Sequence, residues 1–182
     1  MKKISLVLSL ALLMNIAHAE SHGKSKGAHV HGTIKIEMAV EGKSLDLSID
    51  GPAESFVGFE YTPKTANEKK AWSDAESTWN KQLLSKLFIL DKSLGCKIVS
   101  ASFKQEVEEA DSINSREAKK EAGVHSDINA EAKVTCSKDL AGQNLVVALK
   151  KNFPKIKKLA VELLGTETKT IDINSDEQTI KL

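Results

Sequence analysis

Apolar and polar residues alternate between positions 33 and 50, which is typical of β-strands with one buried face. Residues 34–40 and 45–49 each place an apolar side chain at every second position. A short turn centred on Gly42 separates the two runs. Two such runs around a glycine turn predict a β-hairpin that ends at Gly51 and Pro52.

A helical pattern follows, after a crossing over residues 53–63 that we expect to be mostly irregular. Thr65 and Glu68 have the spacing of a capping box, in which each side chain binds a backbone N–H of the first turn. Apolar residues then recur at intervals of three and four, at Trp72, Ala75, Trp79 and Leu83. This spacing predicts one helix whose apolar face packs on the core.

Strand patterns return in the second half of the chain. Residues 96–107 and 128–136 predict two strands, and the highly charged segment 105–127 predicts an extended hairpin tip or an irregular loop. The first of these strands would direct three side chains to one side, namely Val99, Ala101 and Phe103. Residues 159–163 alternate again, and the short apolar run 145–149 fits either type of element.

The last segments, residues 170–173 and 179–182, predict a closing hairpin around Asn174, Ser175 and Asp176. With one clear helix among many strands, the fold class is α+β. We expect a mainly antiparallel β-sheet or a β-sandwich with one main helix packed on it. No internal repeat is visible, and residues 28–182 are expected to form a single domain.

The N-terminus predicts export. Lys2 and Lys3 precede an apolar run over residues 4–13, and Ala17-His18-Ala19 fits the small-x-small cleavage rule. Residues 1–19 therefore have the organisation of a secretory signal peptide, and a periplasmic protein is expected. A membrane anchor is the rival, but crossing a bilayer takes about 20 apolar residues. Residues 20–27 are short and polar, which predicts a flexible arm.

Composition excludes several classes of function. The 182 residues include 26 basic and 25 acidic ones, so no global positive field attracts nucleic acid. Aromatic residues make up 4%, too few for a platform that stacks sugars or bases. We find no nucleophile elbow, no His-Glu-x-x-His helix and no phosphate-binding loop, and we expect a protein that is not an enzyme.

Cys96 and Cys136 are the two cysteines of the chain. In an oxidising compartment they should pair, because export removes the chain from the reducing cytosol. The loop-closure model assigns such a bridge about 4 kcal/mol. The alternative is a thiolate metal ligand or nucleophile, but an oxidised sulfur can do neither job.

Histidines carry the candidate chemistry. Side chains at positions i and i+2 of a strand point to the same face, so His29 and His31 would project together from the polar face. Two adjacent imidazoles suit zinc, copper or nickel. Further donors could come from His125, Glu60, or the arm and its new amino terminus. The alternative is a pair of incidental surface histidines, because structural zinc takes four ligands.

Several sequence blocks resemble the ZrgA-like family of bacterial periplasmic zinc-binding proteins. The most specific are Ala28-His29-Val30-His31-Gly32 and Val57-Gly58-Phe59-Glu60, together with Gly51-Pro52-Ala53. His125-Ser126-Asp127, the segment 87–96 and the segment 140–154 are also similar. The resemblance covers about residues 28–182.

The resemblance implies a zinc-binding protein that assists a zinc ABC importer. His29, His31 and His125 match histidines of the family pattern, and Glu60 matches its acidic position. The chain departs from the family pattern at two places. Tyr61 stands where the family usually has histidine, and the charged loop, which is typically rich in histidine in the family, has His125 as its one histidine. The chain would then retain one modest site, or only the fold. The alternative function is a non-enzymatic envelope interaction module that has lost metal binding.

Overall fold

The structure is a computed structural model, and it describes residues 32–107 and 125–182. The predicted signal peptide (1–19), the predicted arm (20–27), His29 and His31 lie outside the described residues. So does the segment 108–124, which is most of the predicted charged loop. The single-domain prediction stays a prediction, although the buried apolar residues of the described ranges form one cluster.

Nine strands are present in the described ranges. Numbered along the chain, they are β1 (Thr33–Glu41), β2 (Ser44–Pro52), β3 (Phe88–Leu90), β4 (Lys97–Val107), β5 (Ser126–Thr135), β6 (Asn144–Val147), β7 (Lys158–Leu164), β8 (Thr168–Ile173) and β9 (Gln178–Lys181). A six-stranded sheet has the order β4-β5-β2-β1-β7-β8, and a three-stranded sheet has the order β3-β6-β9. Every pairing is antiparallel except that of β1 with β7.

The helices are short apart from one. They are α1 (Ala53–Val57), α2 (Ala66–Gln82) and α3 (Leu149–Asn152), with a π-helical turn at Leu83–Leu87 and a 3₁₀ turn at Lys92–Leu94. The predicted class, α+β with mainly antiparallel sheet and one main helix, is confirmed.

The predicted β1–β2 hairpin forms around Gly42, with Met38 opposite Leu47. Its alternation works as expected, because Ile34, Ile36 and Met38 are fully buried while the residues between them are not. The apolar faces of β2, β5 and β7 continue the same core. Burial of this one face therefore accounts for the period-two pattern.

The predicted helix is also confirmed. The side chain of Thr65 accepts a hydrogen bond from the Glu68 N–H, and the Glu68 carboxylate accepts one from the Thr65 N–H. Trp79 is fully buried, and its indole Nε1 donates to the backbone oxygen of Glu131 in β5 at 3.1 Å. Its ring meets Phe88 edge to face, with centroids 6.1 Å apart. These contacts fix α2 on the sheet.

The predicted disulfide between Cys96 and Cys136 is present. It joins the residue before β4 to the residue after β5, and Lys97 pairs with Thr135 in the adjoining ladder. The two predicted strands and the bridge at their base are therefore confirmed, while the form of the connecting segment stays a prediction.

Three expectations were wrong in detail. Val99 does not share a face with Ala101 and Phe103: the pairing shifts between Ile98 and Ser100, and Val99 is 65% exposed. The bulge inserts one residue, so the alternation before it is inverted. The crossing 53–63 is irregular over residues 58–63, as expected, but it begins with the short helix α1, which was not predicted.

The closing hairpin was the third error. β8 pairs with β7 in the large sheet, whereas β9 pairs with β6 in the small one. Residues 174–177 therefore cross from one sheet to the other. The reason is burial: Ile173 and Ile180 both reach the core, and a turn signal between two strands does not say that they pair with each other.

Candidate metal centre

Two predicted site residues meet although 65 positions separate them. The Nδ1 atom of His125 lies 2.5 Å from Oε2 of Glu60. The His125 side chain is 61% exposed, whereas that of Glu60 is 16% exposed. The pair thus has a shielded carboxylate behind an imidazole that faces solvent.

Hydrogen bonds of the neighbouring Ser126 side chain hold this pair in place. His125 directly precedes β5, whose first residue, Ser126, is buried. The Ser126 hydroxyl donates to the backbone oxygen of Glu60 at 2.8 Å and accepts from Nε2 of Gln105 at 2.7 Å. The start of β5 is therefore tied to the residue that carries the acidic partner.

Helix α1 sets the direction from which Glu60 arrives. Gly58 ends this helix in the left-handed region, with φ of 95°, and its N–H donates to the backbone oxygen of Glu54 at 3.0 Å. Phe59, the next residue, is buried, and Glu60 follows it at the boundary between the core and solvent. A residue with a Cβ would be strained at this turn, so the glycine of the Gly-Phe-Glu block has a conformational role.

The geometry of the pair matches an arrangement common at metal centres. A neutral imidazole that donates Nδ1–H to a carboxylate has its lone pair on Nε2, and the carboxylate fixes the ring and raises its basicity. In this arrangement the carboxylate acts on an ion through the imidazole that it orients. The prediction that Glu60 is itself a metal ligand stays a prediction.

The pair lies in an open cleft of about 510 Å³. Its lining consists of Glu54, Gly58, Phe59, Glu60, Tyr61, Lys64 and His125. Donors for a divalent cation and one ammonium group, that of Lys64, thus occur in the same cleft.

Tyr61, which the sequence resemblance sets against a histidine position, makes contacts of its own. Its ring lies over Phe59 with centroids 5.3 Å apart, and its hydroxyl donates to Oε1 of Glu68 at 2.9 Å. This hydrogen bond, with desolvation and the charge of Glu68, raises the pKa of Tyr61. The phenol therefore stays protonated and is a poor metal ligand.

Gly32 is the described residue nearest to His29 and His31 in the chain. It has φ of 81° and precedes β1, so the alternation of that strand cannot be carried back across it. Its carbonyl accepts the N–H groups of Lys157 and Lys158 at 2.8 and 3.1 Å. Gly32 and Glu54 line one cleft, and Glu54 also lines the cleft of His125. Glu54 is thus shared by the cleft beside the start of β1 and the cleft of the His125–Glu60 pair.

The described ranges contain no group of three or more His, Cys, Asp or Glu side chains placed to hold a metal ion. The sequence interpretation named His125 and Glu60 but missed Ser126 and Gln105, which fix them. Ser126 belongs to the His125-Ser126-Asp127 block that resembles the family, but no local sequence pattern indicated a role for Gln105.

Within residues 32–107 and 125–182, no helix combines the length and hydrophobicity that a bilayer crossing requires.

Comparison with curated proteins found no match. A family model described as "ZrgA family zinc uptake protein" matches residues 28–182, the range over which the resemblance was seen. By this match, which spans most of its length, the chain belongs to the ZrgA family of zinc uptake proteins.

Proposed function

We propose that the protein binds zinc in the periplasm as a scavenger or as an accessory to a zinc ABC importer. The observation that carries this proposal is the 2.5 Å contact between His125 and Glu60. It presents an oriented imidazole to solvent, and family membership supplies the connection to zinc uptake. The protein acts by binding and not by catalysis.

One ligand is Nε2 of His125, and His29 and His31 supply two more. Zinc accepts imidazole nitrogen at about 2.0–2.1 Å and is commonly four-coordinate. Three histidines leave one position for water or a carboxylate. Such an open position suits an ion that is cargo and must be released, whereas a closed four-ligand site would retain it.

The test is a calorimetric titration of zinc into metal-stripped protein that lacks residues 1–19. We expect roughly one zinc per chain in the wild type and loss of this binding in His125→Ala and in His29→Ala/His31→Ala. Glu162→Gln, which removes an exposed carboxylate of β7, should bind as the wild type does. Wild-type binding no tighter than that of free histidine refutes the proposal.

Glu60→Gln separates orientation from direct ligation. Removing an outer partner of a ligating histidine typically costs 10–100-fold in affinity while the metal-to-protein ratio is kept. Copper and nickel, titrated in parallel, establish which ion is preferred, because imidazole sites bind all three.

A second function is favoured by one observation: Tyr61, at a position usually occupied by histidine, is bound to Glu68. In that case the chain is an envelope interaction module that keeps the fold without the metal. It predicts a melting temperature that excess zinc leaves unchanged, since only a ligand that prefers the native state stabilises it. The zinc proposal predicts a rise that His125→Ala abolishes.

A further inference from the structure

A lysine ammonium lies at the edge of the His125 cleft. Nζ of Lys155 donates to the backbone oxygen of Gly58 at 3.4 Å and lies 3.8 Å from Oε1 of Glu54. Gly58 and Glu54 both line the cleft that contains Glu60 and His125. A positive charge, on a side chain that is 55% exposed, therefore contacts two lining residues of the cleft in which the proposed function puts a divalent cation.

Packing holds the backbone of this lysine close to α1. The Phe153 ring, two residues before it, meets Phe56 of α1 edge to face with centroids 5.2 Å apart. Ile156, directly after it, is fully buried. Lys155 is thus anchored on both sides, and its side chain extends toward Glu54 from a fixed base.

We propose that Lys155 acts as a tethered cation that competes with the metal and so lowers the affinity of the site. It does this by occupying the carboxylate of Glu54 and by repelling a second cation. When zinc enters, Glu54 exchanges the ammonium for the metal charge. This inference rests on the proposed zinc binding and adds the residue that tunes it toward release.

The size of the effect follows from Coulomb's law. If the ammonium and the ion are taken to lie one physiological Debye length apart, about 8 Å, the unit charge in water changes the zinc binding constant about sixfold, and salt near 0.15 M reduces this to about twofold. Neutralising Lys155 should therefore tighten zinc binding by a factor of about two to six, with the larger factor at low salt.

The experiment compares zinc affinity in Lys155→Met, Lys155→Arg and wild type at low and at physiological salt. Lys155→Met should bind tighter and lose affinity more steeply as salt is added, whereas Lys155→Arg should match the wild type because it keeps the charge. Lys151→Met is the matched control: this lysine is also exposed and paired with a glutamate, but its partner is Glu177, outside the cleft. Melting curves verify that each variant folds, and Lys155→Gln serves as a second neutral variant.

The outcomes distinguish the two proposals. If the wild type binds zinc through His125 and the neutral variants bind it no more tightly, the role of Lys155 is refuted and the zinc site stands. If Lys155→Arg tightens binding as much as Lys155→Met does, the effect is not one of charge, and the inference is again wrong. If neither wild type nor Lys155→Met binds zinc, both proposals fail.

Discussion

Replacing Cys96 and Cys136 by alanine should cost the protein much of its stability. The bridge closes a loop of 40 residues. For a loop of that length the chain-entropy relation gives about 4 kcal/mol at 25 °C. Small domains are stable by about 5–15 kcal/mol in total, so the loss is a large share.

The position of the bridge explains why the effect should come from the unfolded state. In the folded protein the β4–β5 ladder already holds Lys97 opposite Thr135, so the disulfide joins two strand ends that the sheet has brought together. In the unfolded chain, by contrast, it removes many conformations. The oxidised protein should therefore also expose less surface on unfolding and show a smaller denaturant slope.

The assay is urea unfolding followed by tryptophan fluorescence, since Trp79 is buried in the folded state. The wild type is measured with and without a thiol reductant, and the double alanine variant serves as the control that reductant cannot change. Agreement between the reduced wild type and the variant assigns the effect to the bridge. A loss below about 1 kcal/mol, or an unchanged slope, would refute the loop-closure reasoning.

Four smaller predictions follow from single contacts. Trp79→Phe removes the hydrogen bond to Glu131 and should lower the free energy of unfolding by about 1–3 kcal/mol in the same urea assay. Thr65→Ala removes the cap of α2 and should cost about 1 kcal/mol, visible as a lower melting temperature. Hydrogen bonds from the backbone N–H groups at positions 65 and 64 and from Tyr61 lower the pKa of Glu68 to about 2. An unfolded carboxyl titrates near 4.5, so this stabilisation is lost as pH falls from about 4.5 to 2, and Glu68→Gln should flatten the acid unfolding curve in that window. Gly32→Ala forces a side chain into the left-handed region and should cost about 1–2 kcal/mol by chemical denaturation; an unchanged midpoint would contradict the geometry at this turn.

Local periodicity was enough to predict the strands of the main hairpin, the return strand β5 and the helix α2 with its capping box. Each of these follows from side chains within a few positions of one another, which alternate or recur because one face is buried. The cysteine pairing was also predictable, since two cysteines in a chain that is predicted to be exported leave one possible bridge. His125 and Glu60 were named as possible further donors because of their side-chain chemistry, and the family blocks then matched them; periodicity did not mark them.

Beyond the predicted β1–β2 hairpin and the pairing of β4 with β5, tertiary structure alone decided which strands pair and what surrounds the candidate ligands. β8 and β9 enter different sheets, and β1 lies parallel to β7, because these choices depend on how the apolar faces of distant segments share one core. The same packing brings Glu60 to His125 and places Lys155 beside Glu54. Such contacts join residues far apart in the chain, and no local pattern of polar and apolar positions records them, since burial constrains which face a residue occupies but not its partner across the fold.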